Sequence, residues 1–263
     1  MTRTHQKHWR AYVDAVDLSG YTRQIGALSN KFGAEPDAAL TDGIKNILLG
    51  HGDIQAAPLN AFLDNDAAGL LASFGTGANG TGTRDVMFAM GANAAPAEGN
   101  PIFAWTFEQT AYYVEQGSGF VAATVPFGGA SSQSTKSYKK PWGVLLYAKA
   151  ARTSATGANT AVGIDDYGSS PPSLGGIFVY HLFSSDGTCT LTAQEADTNL
   201  DGSFGAITSA TSGSITAAVS PKHGMVALAT NAAIKRYIRW QISFGSATTA
   251  TFVIGFIRNT LAI

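Results

Sequence analysis

The chain has 263 residues, of which 13% are Asp, Glu, Lys or Arg, a formal net charge of −1 and a single cysteine, Cys189. This balance excludes a global field that would steer nucleic acid or acidic lipid. The lone thiol excludes an intrachain disulfide and argues against a cysteine-based zinc site. Charge makes up about 25% of a typical soluble domain; here Gly, Ala, Ser and Thr stand in its place. A monomer ordinarily keeps itself soluble with charge, so this composition suggests surfaces that neighbouring subunits cover, with a Thr/Ser-rich sandwich surface as the plainer alternative. The opening residues are polar and basic, unlike a secretory signal, and no run reaches the ~18 apolar residues of a membrane helix. The expectation is a protein that folds in the compartment where it is made.

In chain order, residues 11–18 read as a strand whose apolar positions fall on both phases, followed by a Ser19-Gly20 turn and an extended stretch over 21–28. A helix is expected over 36–50: Pro36 and Asp37 suit its first turn, Leu40, Ile44, Ile47 and Leu48 follow at helical spacing, and Gly50 and Gly52 stop it. A second short helix is expected over 66–73, before a glycine-rich loop at 75–82. The period then becomes two. Phe103, Trp105 and Phe107 face one way and Thr106, Glu108 and Thr110 the other. A Gly117-Ser118-Gly119 turn leads to a return strand carrying Val121, Ala123, Val125 and Phe127. Residues 128–140 are a polar loop, 142–149 a strand, and 152–173 a long loop chosen as the internal boundary.

Further on, Phe178, Tyr180 and Leu182 alternate with Val179 and His181. Asp186-Gly187 reads as a hairpin turn into a strand with Cys189, Leu191 and Ala193 on one face. Ile234, Ile238, Trp240, Ile242 and Phe244 form one face of a later strand, opposed by Lys235, Tyr237, Arg239 and Gln241. The last strand, 248–257, is apolar on both faces, which means burial in a sheet centre or by another subunit.

Catalytic patterns are sparse. The five histidines form no His-Glu-x-x-His, and there is no Gly-x-Ser-x-Gly elbow. Cys189 follows His181 across the expected hairpin, where a buried structural thiol outweighs a nucleophile. Gly75-Thr76-Gly77-Ala78-Asn79-Gly80 fits a dinucleotide fingerprint formally but lacks the strand before it and the helix after it. Asp197-Thr198-Asn199-Leu200-Asp201-Gly202 alternates oxygen ligands as a calcium loop does, yet Thr208 stands where the bidentate Glu belongs. A polar turn explains the same residues. Lys235, Tyr237 and Arg239 share a strand face able to stack sugars or bases, or simply to meet solvent.

Residues 12–26, running through Asp17-Leu18-Ser19-Gly20, resemble the opening of tail-tube-type virion proteins of tailed phages. The stretches 37–50 and 59–65 continue that similarity, and 187–207 with 234–240 resembles a β-sandwich segment of phage structural proteins. The resemblance implies a non-catalytic subunit of a tail tube or related ring, in which sheets join edge to edge and loops and arms lock successive rings. It implies a virion protein made in the host cytoplasm, whose partners are itself and other virion proteins. DNA would be only passive lumen cargo, and no membrane is involved.

The expected fold is mainly β, an antiparallel β-sandwich or barrel with short helices at 36–50 and 66–73. It divides into 1–150, a sandwich with helix and assembly arm, and 151–263, a second sandwich. The expected assembly interface is Trp9, Tyr12, Phe252, Val253, Ile254, Phe256 and Ile257. Lys235, Tyr237 and Arg239 form a surface basic and aromatic strand. No catalytic residue, cofactor or metal is expected, Asp197, Asn199 and Asp201 coming nearest to a calcium site. The alternatives are a head-decoration or cement protein, and a carbohydrate-binding β-sandwich of a host-recognition appendage.

Overall fold

The structure, a computed structural model, describes residues 6–25, 28–37, 46–56, 59–62, 74, 82–117, 120–125, 127–130, 141–156, 159–169, 171, 173–218 and 222–259. Its strands, in chain order, begin with β1 (Trp9–Val13), β2 (Val16–Asp17), β3 (Thr22–Ile25), β4 (Leu28–Asp37), β5 (Asn46–Ala56) and β6 (Leu59–Phe62). Then come β7 (Gly82–Met90), β8 (Pro101–Gln109), β9 (Tyr113–Gly117), β10 (Phe120–Val125), β11 (Phe127–Ala130) and β12 (Trp142–Thr153). The remainder are β13 (Asp165–Asp166), β14 (Gly176–Ser185), β15 (Cys189–Ala196), β16 (Gly205–Thr211), β17 (His223–Ala227), β18 (Tyr237–Phe244) and β19 (Thr249–Arg258). The protein is mainly β, and the strand pairings among the described residues are antiparallel.

A nine-stranded sheet runs in the order β17-β14-β19-β12-β8-β7-β1-β2, with β11 also on β8. Its end strands β17 and β2 do not pair with each other, so it does not close into a barrel. Residue 150 lies inside β12, and strands from both sides of it build this one sheet. Two four-stranded sheets, β3-β6-β10-β9 and β13-β18-β15-β16, and a two-stranded β4-β5 ribbon complete the set.

The period-two pattern explains the layering. On β14 and β19, Ile177, Val179, Val253 and Ile257 join one core with Tyr12, Val13, Phe88, Phe103 and Phe107. Their neighbours Phe178, Tyr180, Leu182, Phe252, Ile254 and Phe256 join a second core with Leu191, Ile238, Trp240 and Ile242. The β14–β19 part of the large sheet is therefore a middle layer. The β1–β7–β8 part covers one face and the β15–β18 sheet the other. A strand buried on both faces must be apolar on both.

Three expectations are corrected. Residues 46–50 are strand, not helix: Glu35 pairs with Leu48 and Pro36 with Ile47 in an antiparallel ribbon. The helical spacing was short, and glycines at 43, 50 and 52 weaken a helix that must stand against continuous cross-strand bonding. Residues 38–45 of that expectation, and the helix at 66–73, lie outside the described residues.

Residues 11–18 are two strands, not one. Val13 pairs with Val16 around a turn at Asp14 and Ala15, which is why the apolar positions change phase.

Asp186-Gly187 is not a hairpin turn, because β14 pairs with β17 and β19 while β15 pairs with β16 and β18. The chain steps there from one sheet to the other. Asp186 Oδ1 accepts the N–H groups of Thr248 (2.8 Å) and Thr249 (2.9 Å), and Oδ2 accepts the Thr248 hydroxyl. A Cβ on Gly187 would lie 2.7 Å from the Ala247 nitrogen, so the crossing needs glycine.

Candidate functional site

Where the two parts of the large sheet face each other, apolar packing gives way to a cluster of ionisable side chains. It starts at the β1–β2 turn. Asp14 and Ala15 have φ of 48° and 62°, left-handed values that a two-residue hairpin of this hand requires and that Asn-Gly ordinarily supplies. Ala15 in this conformation is strained by roughly 1–2 kcal/mol, so the surroundings must hold it. They do so from three elements. Asp14 Oδ1 accepts the N–H of Asp85 at 2.9 Å, and Oδ2 accepts Arg84 Nη1 at 2.9 Å, both from β7. The N–H of Ala15 donates to Nδ1 of His181 on β14 at 3.0 Å. From β17, His223 Nδ1 lies 3.0 Å from Asp85 Oδ2 and 3.7 Å from Asp14 Oδ1.

Second partners fix these groups. Thr106 of β8 donates to Asp85 Oδ1 at 2.8 Å. Arg84 Nε donates to Gln109 Oε1 at 2.9 Å, and Gln109 Nε2 donates to the carbonyl of Phe74 at 3.0 Å. His181 and His223 stand opposite each other in register, with ring centroids 6.2 Å apart. Each occupies the phase that Val179 or Met225 fills on its own strand with an apolar side chain.

The electrostatics assign the charges. Burial alone would raise the Asp85 carboxyl, but the hydrogen bond and charge of His223 and the Thr106 hydroxyl hold it below the ordinary carboxylate range. Burial would lower His223, yet Asp85 and Asp14 outweigh it and the imidazole is raised. Complete burial, reinforced by the charge on His223, pushes His181 down to about 3. His181 is therefore neutral. Its Nδ1 accepts from Ala15, so the proton sits on Nε2, which meets no acceptor among the described residues.

Among the described residues, the buried cations Arg239 and Arg258 are also paired. Arg239, 3% exposed, donates to Gln194 Oε1 (2.7 Å), to the Thr160 carbonyl (2.6 Å) and to Asp201, and lies over the Phe204 ring. Arg258 donates to Asp165 Oδ2 at 2.6 Å and to the carbonyls of Lys235 and Arg236 at 2.8 Å each.

The structure relocates the residues singled out from sequence. Tyr12, Phe252, Val253, Ile254, Phe256 and Ile257 are buried inside the protomer, and Trp9 is half-buried in β1 beside β7. The expected docking edge at 248–257 is corrected: β19 lies between β14 and β12, so its two apolar faces serve the protein's own two cores.

Lys235, Tyr237 and Arg239 do not form one open face. Lys235 is exposed, Tyr237 is half-buried under the Arg236 guanidinium, and Arg239 is interior. The Asp197–Asp201 loop spends its oxygens on protein donors. Asp197 lies 3.5 Å from Lys235 Nζ, Asn199 Oδ1 accepts the Gly163 N–H at 2.7 Å, and Asp201 binds Arg239. Cys189 and His181 belong to different sheets and different cores, and burial pushes the thiol up to about 11. The glycine-rich segment 75–81 lies outside the described residues.

Sequence reasoning missed Asp14, Arg84, Asp85 and His223. The available signals were the phase slip at Asp14-Ala15 and a histidine inside the apolar run 177–182.

Fold and site define a layered antiparallel β protein with a salt-linked polar knot in its interior. No protein family matches the chain, and no curated protein does. Among solved structures, it is similar to the Dit protein of phage SPP1, described as a paradigm of the hub adsorption apparatus in phages infecting Gram-positive bacteria. That match has 12% identity over 96% of this chain and 99% of that one, with a TM-score of 0.29. A likeness of that size carries no argument about function.

Proposed function

We propose that the chain is a non-catalytic structural protein of a tailed-phage virion that associates with copies of itself, as rings or a tube in the tail, alongside other virion proteins. The observation that carries this reading is the β4–β5 ribbon. Ile25 stands opposite Leu59 in the β3–β6 pair, and Leu28 stands opposite Ala56 in the next, so four strands form the two legs of one long hairpin. Its base belongs to a four-stranded sheet. Its distal ten- and eleven-residue strands bond only to each other among the described residues. At about 3.3 Å per residue they extend over roughly 33 Å. A two-stranded ribbon is marginal alone in water. β5 lies beside β11 of the large sheet, and among the described residues the outer edge of β4, which has no strand beside it, is a template for another chain.

The charge-poor composition and the resemblance of 12–26 to tail-tube-type proteins support the same reading. The carbohydrate-binding alternative rested on the face around Tyr237 and Trp240; Trp240 is buried and Tyr237 is half-buried, which supports it less than the assembly reading.

The test is negative-stain microscopy of the intact chain and of a variant in which Asn-Gly joins Ile25 directly to Leu59. The intact chain should give rings or tubes at high concentration, and the variant should fold but remain unassembled. Isolated intact particles at every concentration, or rings undiminished in the variant, would overturn the proposal. Antibody labelling of virions on the head instead of the tail would move the protein to a decoration role.

A further inference from the structure

Asp14 is bonded to β7, the neighbour of β1, and His181 stands beside His223 on the neighbouring β17. The two links between these strand pairs, Ala15 to His181 and Asp85 to His223, each depend on the protonation of one imidazole. The Ala15 N–H can donate to His181 only while Nδ1 carries a lone pair. The cation of His223 is what balances the second carboxylate of the pair Asp14 and Asp85, since Arg84 balances one of them. We propose that this cluster is a proton-operated latch: neutral His181 and cationic His223 together pin the strained β1–β2 turn across the sandwich, and the turn is released when His181 gains a proton or His223 loses one.

Among the described residues, the groups around His223 come from four segments. From β7 comes Asp85, from the β1–β2 turn Asp14 with its partner Arg84, from β14 His181, and from its own segment Lys222. Around His181 lie the Tyr12 and Phe183 rings, with the Lys149–Asp17 pair beyond Phe183. Between the depressed pKa of His181 and the raised pKa of His223 the two imidazoles share one positive charge: His223 is protonated on both ring nitrogens and His181 only on Nε2. A second proton would have to enter a fully buried ring 6.2 Å from that charge and would turn the Nδ1 acceptor into a donor aimed at another donor.

The strain makes release favourable once the bond is gone. Ala15 leaves its left-handed conformation for an ordinary one, and the 3.0 Å tether that opposed this is absent. The segment involved carries β2, the last strand of the large sheet, and leads directly into β3 and the ribbon hairpin. The latch thus lies at the root of the element that the proposed assembly uses, although its own operation can be read on the free protein.

The signs follow from linkage. His181 is depressed in the folded protein, so its contribution is present above the unfolded value and is lost as pH falls from 6.5 toward about 3. His223 is raised, so its contribution is present below the unfolded value and is lost as pH rises through its folded pKa. The latch is tightest close to neutral pH.

The experiment is amide hydrogen exchange of the intact protein from pH 4.5 to 9, expressed as protection relative to the unfolded chain at each pH. The Ala15 and Asp85 amides should be most protected near neutral pH. On the acid side they should lose up to about tenfold per pH unit, the slope of one proton, and they should also lose protection on the alkaline side. His181→Asn, which keeps an acceptor that does not titrate here, should flatten the acid limb only. His223→Asn should flatten the alkaline limb only. If either variant fails to fold, proton NMR of the unaltered protein decides: His223 should titrate above 6.5 and His181 not at all above 4.5. Protection independent of pH, limbs unchanged in both variants, or His181 titrating near 6.5 would each overturn the latch. None of these outcomes depends on whether the chain assembles.

Discussion

Phe178 of β14 and Phe256 of β19 stand opposite each other in register in the middle of the large sheet, both at 0–1% exposure. The pair sits in the layer that both cores share. Phe256→Ala should therefore act as a core truncation and cost about 3–5 kcal/mol of unfolding free energy, read by chemical denaturation. An interface role for this strand predicts the contrary result: an unchanged monomer that no longer associates.

Ala15 supplies a prediction of opposite sign. Its φ of 62° is unstrained for glycine. Ala15→Gly leaves the N–H donor to His181 in place, so it should stabilise the protein by about 1 kcal/mol. Differential scanning calorimetry checks this, and a lower Tm would mean that the turn is not held as described.

Asp201 is largely exposed, yet its partner Arg239 is interior. Removing an exposed carboxylate ordinarily costs little. Asp201→Ala, however, leaves a buried guanidinium with only neutral acceptors, so it should cost about 1–2 kcal/mol. Arg239→Met, which removes the buried charge itself, should cost less than its burial suggests. The same geometry predicts that adding calcium or EDTA leaves the melting temperature unchanged, because the oxygens of Asp197, Asn199 and Asp201 are directed at protein donors. A calcium-dependent rise in Tm would contradict it.

Acid sensitivity should be graded. The Thr248 hydroxyl and the N–H groups of Thr249 and Thr248 bring Asp186 down to about 2. Arg236 and the Gly168 N–H do the same for Asp166. A depressed carboxylate contributes stability that is present above its unfolded pKa and lost as pH falls through its folded one. Their share should therefore persist at pH 4 and disappear between about 4 and 2, below the range where His181 first makes itself felt. Asp186→Asn should reduce the stability lost below pH 4, and urea midpoints measured from pH 6 down to 2 test this.

Much of the strand content was legible because alternation is a local signal. The apolar phases of 103–107, 178–182 and 238–244 all fall in real strands. Partner choice was not legible. Nothing within 176–196 says that β14 pairs with β17 and β19 instead of with β15, so a crossing between sheets read as a hairpin. The two-sided apolar character of 249–258 was visible, but whether a neighbouring subunit or the chain itself covers it depends on strand order. The 36–50 segment misled because four apolar residues fit a helix period and a strand equally well over so short a run. The polar knot was invisible for a different reason. Asp14, Asp85, His181 and His223 lie far apart in sequence and meet only after the large sheet turns back on itself.

The central claim, self-association through the β4–β5 ribbon, is tested most directly by light-scattering mass across a hundredfold concentration range. The intact chain and the variant joining Ile25 to Leu59 by Asn-Gly would be compared. The account predicts a mass that rises to a discrete multiple of the 27.3 kDa chain for the intact protein and stays monomeric for the variant. A monomeric mass for the intact protein throughout, or the same oligomer in both, would contradict it.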